Sequence, residues 1–361
     1  MQLSRKEIIA TCIAVVFIGL LITLLVWGGI ASGQEDDLGD VPDAYKDLPS
    51  VILIGADSAG KDSAGQRFGE LIAQKATDIT GGKLKIDYHA NGDLGGDADL
   101  LRQVQYDDIQ ILVCQTAPTV SFIPQMAVFD LPMVFATADG DSIDNVLNGD
   151  NAFRDGLEAA YEENGLYLLG FLQNATFRLT TSNKDLQSLA DFSGLQIRTM
   201  ENSNHMAFWQ AINAEPTPLA WSELYISLQN GTVDAEENAA DSILGASFQE
   251  VQKYLAETNH ILYCNQVCMN ENAWKELDPA YQGALTQAVQ EAIAEMRPQM
   301  TQIDEDGKEA LTQGGMEIIS YDDSFYDDIL ALDTVKALYA SIDDQTGGLG
   351  SILQEELQNR S

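Results

Sequence analysis

Residues 177–200 read FRLTTSNKDLQSLADFSGLQIRTM, two short β-rich runs joined by a polar segment. Arg178 lies in the first run and Arg198 in the second. A guanidinium on a mostly apolar strand needs an anion, because burying an unpaired charge is costly. That anion is either an aspartate or glutamate of the chain or a ligand carboxylate held by two parallel hydrogen bonds. The residues alone leave both alternatives open.

Similar β-rich runs recur on both sides of this stretch, with helical periods between them. The predicted strands cover residues 51–54, 83–89, 109–114, 166–172, 177–182, 195–200 and 260–269. Phe68, Leu71, Ile72 and Lys75 follow a helical step. Apolar residues recur at threes and fours from Tyr281 to Met300, where Pro298 is expected to kink or end the helix. Strands separated by helices predict an α/β architecture with mostly parallel sheets.

The N-terminus carries an unbroken apolar run from Ile8 to Ala31, preceded by Arg5 and Lys6. A membrane-spanning helix needs about 20 such residues, more than the core of a cleavable signal. We therefore interpret residues 1–33 as a signal anchor, or as a signal peptide cleaved near residues 31–33, and the acidic residues 34–49 as a linker. The positive-inside rule places the rest of the chain outside the cytoplasmic membrane.

The composition excludes nucleic acid as a partner. Lys and Arg number 19 against 56 Asp and Glu, a net charge of −37, which repels a polyanion. Cys264 and Cys268 lie four residues apart on a predicted strand, too far apart for a disulfide, so we expect buried thiols. The cysteines and histidines show no zinc-type clustering, and we predict neither a metal nor a cofactor.

One short motif approaches a nucleotide-binding loop. VILIGADSAGKDSAG, residues 51–65, contains G-x-x-x-x-G-K, but Asp62 stands where a Ser or Thr would hold magnesium. A glycine-rich turn from strand to helix explains the same letters. Gly95, Gly96, Asp97 and Asp99 likewise indicate a helix N-terminus with acidic first-turn residues rather than a metal site. We find no enzyme signature and predict that the protein is not an enzyme.

Five separated blocks together resemble the solute-binding proteins of tripartite ATP-independent periplasmic (TRAP) transporters. The blocks lie at residues 79–105, 122–135, 178–198, 212–238 and 248–262, among them RLTTSNKDLQSLADFSGLQIR and INAEPTPLAWSELYISLQNGTVDAEEN. Together they extend the resemblance over about residues 50–320. Five blocks at family spacing are far more specific than one motif.

The resemblance implies a binding site for an organic anion. Its main carboxylate-binding arginine falls on Arg198 of LQIR, its second pocket arginine on Arg178, and its ligand-contacting asparagine on Asn238. Trp221 lies where the family has an aromatic wall, although a core position is nearly as consistent with it. Gln115 at a strand end and Asp97 are further candidates. The chain departs from the family's D-G-Q-E-N-P at Ala235, Glu236 and Ala239, and Glu236 adds a charge near the site.

The resemblance further implies a two-lobed clamp like the periplasmic binding proteins, with a hinge and a long connecting helix. We predict lobe I from residues 50–175 and 264–303 and lobe II from residues 176–263 and 304–361. Such a monomer would deliver an organic acid to the integral membrane subunits of a TRAP transporter. C4-dicarboxylates, sugar acids, keto acids and sialic acid all remain open as ligands. The alternatives are a membrane-anchored sensory or scaffold protein and an extracellular nucleotide hydrolase.

Overall fold

In the computed structural model, which describes residues 40–360, strands and helices alternate as the periodicity predicts. Most predicted strands appear within two or three residues of their expected bounds, but residues 260–264 lie outside the last of them. The strands are β1 (Val51–Ala56), β2 (Leu84–His89), β3 (Ile111–Gln115), β4 (Leu166–Leu172), β5 (Leu179–Ser182), β6 (Gln196–Thr199), β7 (Glu215–Pro218), β8 (Ala235–Asn238), β9 (Tyr254–Ala256), β10 (Asn265–Asn270) and β11 (Glu317–Ile319).

Several helices begin at a residue whose side chain caps the first turn. The helix that follows β1, for example, begins at Ser63, whose side chain accepts from Gln66 N–H, and ends at Gly81 with a φ of 61°. The helices are α1 (Ala64–Thr80), α2 (Asp97–Gln105), α3 (Thr116–Thr119), α4 (Gly140–Asn148), α5 (Ala152–Glu163), α6 (Ser203–Ala211), α7 (Trp221–Gln229), α8 (Ala240–Gly245), α9 (Glu271–Glu276), α10 (Pro279–Gln313), α11 (Asp323–Ala331), α12 (Asp333–Gln345) and α13 (Leu349–Arg360), with 3₁₀ turns at Pro124–Asp130, Leu189–Phe192 and Phe248–Glu250.

The first sheet has five strands in the order β2-β1-β3-β10-β4. β1 runs parallel to β2 and β3, whereas β10 lies antiparallel between β3 and β4. All six residues of β10 are buried, including the polar Asn265, Gln266 and Asn270. Cys264 and Cys268 are buried free thiols, as expected from the sequence.

The second sheet has six strands in the order β11-β9-β5-β8-β6-β7. β6 runs parallel to β7 and β8, while β5 runs antiparallel to β8 and β9. Both sheets are therefore mixed, each with a strand that opposes its neighbours, a feature that residue periodicity does not indicate. The α/β class itself is confirmed.

Helix α10 is the long connecting helix that was expected. It runs for 35 residues and continues through Pro298, so the prediction that Pro298 could end it is wrong. Met296 and Met300 are buried on either side of the proline, and this packing holds the helix across the missing N–H. α10 packs against α1 and β4 of the first sheet and against α8, which follows β8 of the second.

The chain from Pro42 onward forms one compact unit in which the two sheets are built from different ranges of sequence. The first sheet draws only on the ranges predicted for lobe I, and the second only on those for lobe II. Helix α13 packs against α4 and α5, which lie in the lobe I range, although its own residues were predicted for lobe II. The division into lobes stays a prediction.

The predicted anchor and most of the acidic linker lie outside the described residues. None of the helices within residues 40–360 combines the length and the apolar character that crossing a bilayer requires.

Candidate functional site

A cavity of about 840 Å³ lies where strand ends of the two sheets face each other, and a recess of about 30 Å³ adjoins it. The loop after β1, the start of α2 and helix α3 contribute one wall. The end of β6 and the start of α7 contribute the other. Binding sites of α/β proteins commonly lie at such carboxyl ends of strands. The two spaces share Ser58, Asp97, Arg198, Met200 and Trp221.

Arg198 is the cation of the cavity with unused donors. It is 2% exposed, and its Nε and Nη2 donate to the Leu219 carbonyl at 2.9 and 2.7 Å. Nη1 makes no hydrogen bond in the described structure. The Leu219 carbonyl thus uses one side of the Arg198 guanidinium. The end formed by Nη1 and the second Nη2 hydrogen stays free to donate. Burial lowers the pKa of Arg198, opposed mainly by the nearby Glu236.

Trp221 and Asn238 flank this guanidinium. The Arg198 Cζ lies 6.0 Å from the Trp221 ring centre, and Trp221 also packs on Phe248 at 5.5 Å. Trp221 is half-buried, so it is both a cavity wall and part of a local core. Asn238 ends β8, accepts from Ala239 N–H through Oδ1 at 3.1 Å and lines the recess.

Arg178 has a different environment from Arg198. Its Nη1 donates to Glu237 Oε2 at 2.9 Å and to the Glu237 carbonyl at 3.2 Å. Its Nη2 donates to Gln115 Oε1 and lies 3.0 Å from Met200 Sδ. Arg178 itself does not line the cavity, whereas Gln115 lines the recess. Of the two alternatives that the sequence left open, the internal anion is the one seen for Arg178.

Glu237 is the centre of a buried charged network behind the cavity. His205 Nδ1 lies 3.1 Å from its Oε1, and His260 Nε2 lies 3.5 Å from its Oε2. His205 Nε2 in turn lies 3.1 Å from Asp130 Oδ1. Burial opposes ionisation, but Arg178 and His205 hold the pKa of Glu237 well below its ordinary value. Burial also disfavours protonated His205, yet Glu237 and Asp130 raise its pKa to about 9.

Acidic side chains line the cavity around Arg198. Asp97 is half-buried at the N-terminus of α2 and accepts from Ser58 Oγ. Burial raises the pKa of Asp97, although Ser58 and the arginines oppose the shift. Asp99 pairs with Arg102 at 2.7 Å, and Glu201 also lines the cavity. After that pairing, two acids of the lining have no basic partner in the described structure: Asp97 on the opposite wall, and Glu201 three residues after Arg198.

The glycine-rich turn of residues 55–63 does not present a phosphate cradle. The Asp241 carboxylate accepts from Ala64 N–H at 2.8 Å, so an acid of the chain already occupies the N-terminus of α1. Asp57 accepts from Ala59 and Asn91 N–H, which further uses the donors of the turn, while Lys61 is exposed. Ser58, Ala59 and Gly60 of this turn line the recess.

Five of the six candidate residues from the sequence line the cavity or the recess: Asp97, Gln115, Arg198, Trp221 and Asn238. Sequence reasoning missed Asn265, a buried residue whose Nδ2 has no partner and which lines the recess. It begins β10 opposite Gln115, the last residue of β3. The adjacent polar residues Asn265 and Gln266 inside the otherwise apolar run ILYCNQVCM were the signal available. Within residues 40–360, no group of three His, Cys, Asp or Glu side chains is arranged to hold a metal ion.

Comparison with known proteins agrees with this geometry. Residues 55–328 match the family model described as bacterial extracellular solute-binding protein, family 7. The chain is 30% identical over 222 residues to the sialic acid-binding periplasmic protein of Vibrio cholerae, covering 61% of this chain and 68% of that protein.

Two solved structures show the similarity in three dimensions. A sugar acid binding protein from Advenella mimigardefordensis in complex with galactonate superposes with a TM-score of 0.80 at 24% identity, over 87% of this chain and 100% of that one. A TRAP periplasmic solute-binding protein from a Polaromonas species, bound to D-erythronate, gives a TM-score of 0.76 at 26% identity, over 84% and 98% of the chains. At 24% identity, the Advenella structure supports the fold alone.

Proposed function

The chain belongs to the bacterial extracellular solute-binding proteins of family 7, and we propose that it captures a small organic acid at Arg198 and delivers it to the membrane subunits of a TRAP transporter. The observation that carries this proposal is the buried end of the Arg198 guanidinium, which has no acidic partner within the described residues. A buried cation with unused donors, open to a cavity, fits a carboxylate that arrives with the ligand.

Each candidate residue has a role in this proposal. The ligand carboxylate accepts from the free end of Arg198 and from the amide of Asn238. Trp221 forms an apolar wall, and Asp97 accepts from ligand hydroxyl groups. Gln115 contacts the ligand, and Arg178 holds the Gln115 side chain in place by donating to its Oε1. Arg178 does not bind the ligand carboxylate itself, because Glu237 already neutralises it.

The charges around the cavity favour one carboxylate and several hydroxyl groups. Arg198 supplies one unpaired positive charge, whereas Asp97 and Glu201 lie among the lining residues without a basic partner in the described structure. A second ligand carboxylate would meet these acids and be repelled. Hydroxyl groups would instead donate to them. We therefore propose that the ligand is a polyhydroxy monocarboxylate. D-erythronate, which is bound in the Polaromonas structure, belongs to this class of acids.

Calorimetric titration with D-erythronate, pyruvate, succinate and ATP tests the function and the ligand class together. We expect D-erythronate to bind at least about tenfold more tightly than succinate, a difference of about 1.4 kcal/mol, and ATP not to bind. Asp97→Asn should reduce the difference in affinity between D-erythronate and succinate, because one of the acids that repel the second carboxylate of succinate is then neutral. If succinate binds more tightly, the ligand class is wrong. Sialic acid is titrated as well. If D-erythronate, pyruvate, succinate and sialic acid all fail to bind, the proposed function is wrong.

We propose that the protein acts as a monomer at the outer face of the cytoplasmic membrane, held there by residues 8–31. The alternative is release after cleavage of that segment. Mass spectrometry of the N-terminal peptide, together with fractionation of the cells that produce the protein, tests the anchor. We expect an intact apolar segment in the membrane fraction. A mature chain that begins at residue 32 or 34 would show that the protein is released.

A further inference from the structure

Glu236 is a buried acid next to the arginine of the site. It lies on β8, its side chain is fully buried, and its register partners are Arg198 on β6 and Thr181 on β5. Register partners on neighbouring strands point to the same face of the sheet about 5 Å apart. Glu236 and Arg198 therefore share a face, and Asn238, two residues further along β8, lines the recess from that same face.

Neither Glu236 nor Arg198 has satisfied its polar atoms. Glu236 Oε1 lies 3.4 Å from Thr181 Oγ1, and Oε2 makes no hydrogen bond. The carboxyl group forms no ion pair with any residue that the structure describes, and Arg198 Nη1 also lacks a partner. An ionised carboxylate buried in this state would cost far more free energy than a neutral carboxyl group.

The charged groups around Glu236 come from three neighbouring segments. Arg198 on β6 is the main favourable neighbour, and Arg178, the residue before β5, is neutralised by Glu237, the next residue of β8. Thr181 is the nearest polar group on β5, and it also reaches Gln252 at 3.1 Å. Burial, with a smaller contribution from Glu237, raises the pKa of Glu236 to about 8, although Arg198 opposes the shift. Glu236 is therefore mostly protonated in neutral solution.

We propose that Glu236 is a proton-binding site coupled to the anion pocket, so that the ligand is bound with Glu236 protonated and an ionised Glu236 competes with the ligand for the charge of Arg198. This inference rests on the proposed function, because it needs a ligand anion at Arg198. The coupling is reciprocal: a bound anion raises the proton affinity of Glu236, and loss of that proton weakens the binding of the anion. The resemblance places a neutral glutamine at this position, so the coupling belongs to this chain.

The coupling predicts how ligand affinity changes with pH. An anion within about 4–6 Å of a carboxyl group moves its pKa by about 1–3 units. The affinity should accordingly be nearly constant below about pH 7 and fall about 10-fold to about 100-fold between about pH 7 and about pH 10. Arginine stays charged throughout this range, so it does not contribute to the decline.

Two measurements test the proposal. The first is NMR of protein labelled with ¹³C at the glutamate carboxyl carbons, in which the Glu236 signal is assigned as the one missing from Glu236→Gln. This signal should titrate near pH 8, and saturating D-erythronate should move the midpoint of its titration to higher pH. Calorimetry with D-erythronate across the same pH range should give the fall in affinity for the parent chain and less than about a threefold change for Glu236→Gln. Asp97→Asn, which removes another carboxyl group near Arg198, should keep the pH dependence.

Each outcome decides the proposal. A Glu236 signal that titrates at the ordinary pKa of glutamate overturns it without any ligand. A fall in affinity that persists in Glu236→Gln and disappears in Asp97→Asn assigns the proton to Asp97 and also overturns it. If neither D-erythronate nor the other acids bind, the proposed function and the coupling fail together, whereas a pH-independent affinity in the parent chain overturns the coupling alone.

Discussion

Glu237→Gln is expected to lower the free energy of unfolding by about 3–5 kcal/mol at neutral pH. The Glu237 carboxylate lies 2.9 Å from Arg178 and 3.1 Å from His205, and all three side chains are buried. A glutamine at this position leaves both cations without their shared anion in a medium that solvates charge poorly. Chemical denaturation followed by circular dichroism measures the loss.

The pH dependence of this loss follows from His205. Its pKa in the folded chain is about 9, above the ordinary 6.5, because Glu237 and Asp130 outweigh burial. Its ion pairs therefore contribute fully below about pH 6.5 and lose their contribution as the pH rises through about 9. We expect the difference between Glu237→Gln and the parent chain to be larger at about pH 6 than at about pH 10.

Glu236→Gln is the matched control, since it makes the same substitution at the neighbouring buried position. Glu236 has no ion pair in the described structure, and its pKa of about 8 in the folded chain lies above the ordinary 4.5. That shift lowers stability as the pH rises from about 4.5 to about 8, because the unfolded chain ionises first. Glu236→Gln should remove this cost and stabilise the protein by roughly 2–5 kcal/mol at about pH 9. Equal destabilisation by both variants would contradict the assigned charges.

The parts of the fold that depend on local periodicity could be predicted from the sequence. LYLLGFL at residues 166–172 forms β4 over the same residues, and the acidic segment at Asp97 begins α2. The antiparallel placement of β10 could not be predicted, because β10 pairs with β3 and β4 from about 100 to 150 residues away. Hydrophobic periodicity indicates that a strand is buried, but not which strands lie beside it.

The different roles of the two arginines could not be predicted from the sequence either, because they too depend on strand pairing. Arg178 and Arg198 look alike in sequence, each on an apolar strand. Glu237, 59 residues after Arg178, neutralises the first, and a backbone carbonyl orients the second without neutralising it. Only the strand pairing decides which guanidinium meets an internal acid. The Asp130–His205 pair and Asn265 were missed for the same reason, since their roles come from contacts between distant segments.

Arg198→Ala is expected to weaken ligand binding by about 30-fold to several-thousandfold, or about 2–5 kcal/mol. Without the guanidinium, the ligand carboxylate would be buried beside acids with no cation to meet it. Arg198→Lys should also bind poorly, because an ammonium cannot donate to the Leu219 carbonyl and to both oxygens of a carboxylate in one plane. Arg178→Ala should lose less affinity and more stability, since Arg178 pairs with Glu237.

Calorimetry of D-erythronate with the parent chain and Arg198→Ala is the most direct test of carboxylate capture at Arg198. Circular dichroism must first show that the variant is folded, because Arg198 also holds the Leu219 carbonyl. The account predicts a folded variant whose affinity for the acid has fallen by at least about 30-fold. A variant that retains the parent affinity and only melts earlier would show that Arg198 is structural and that the carboxylate binds elsewhere.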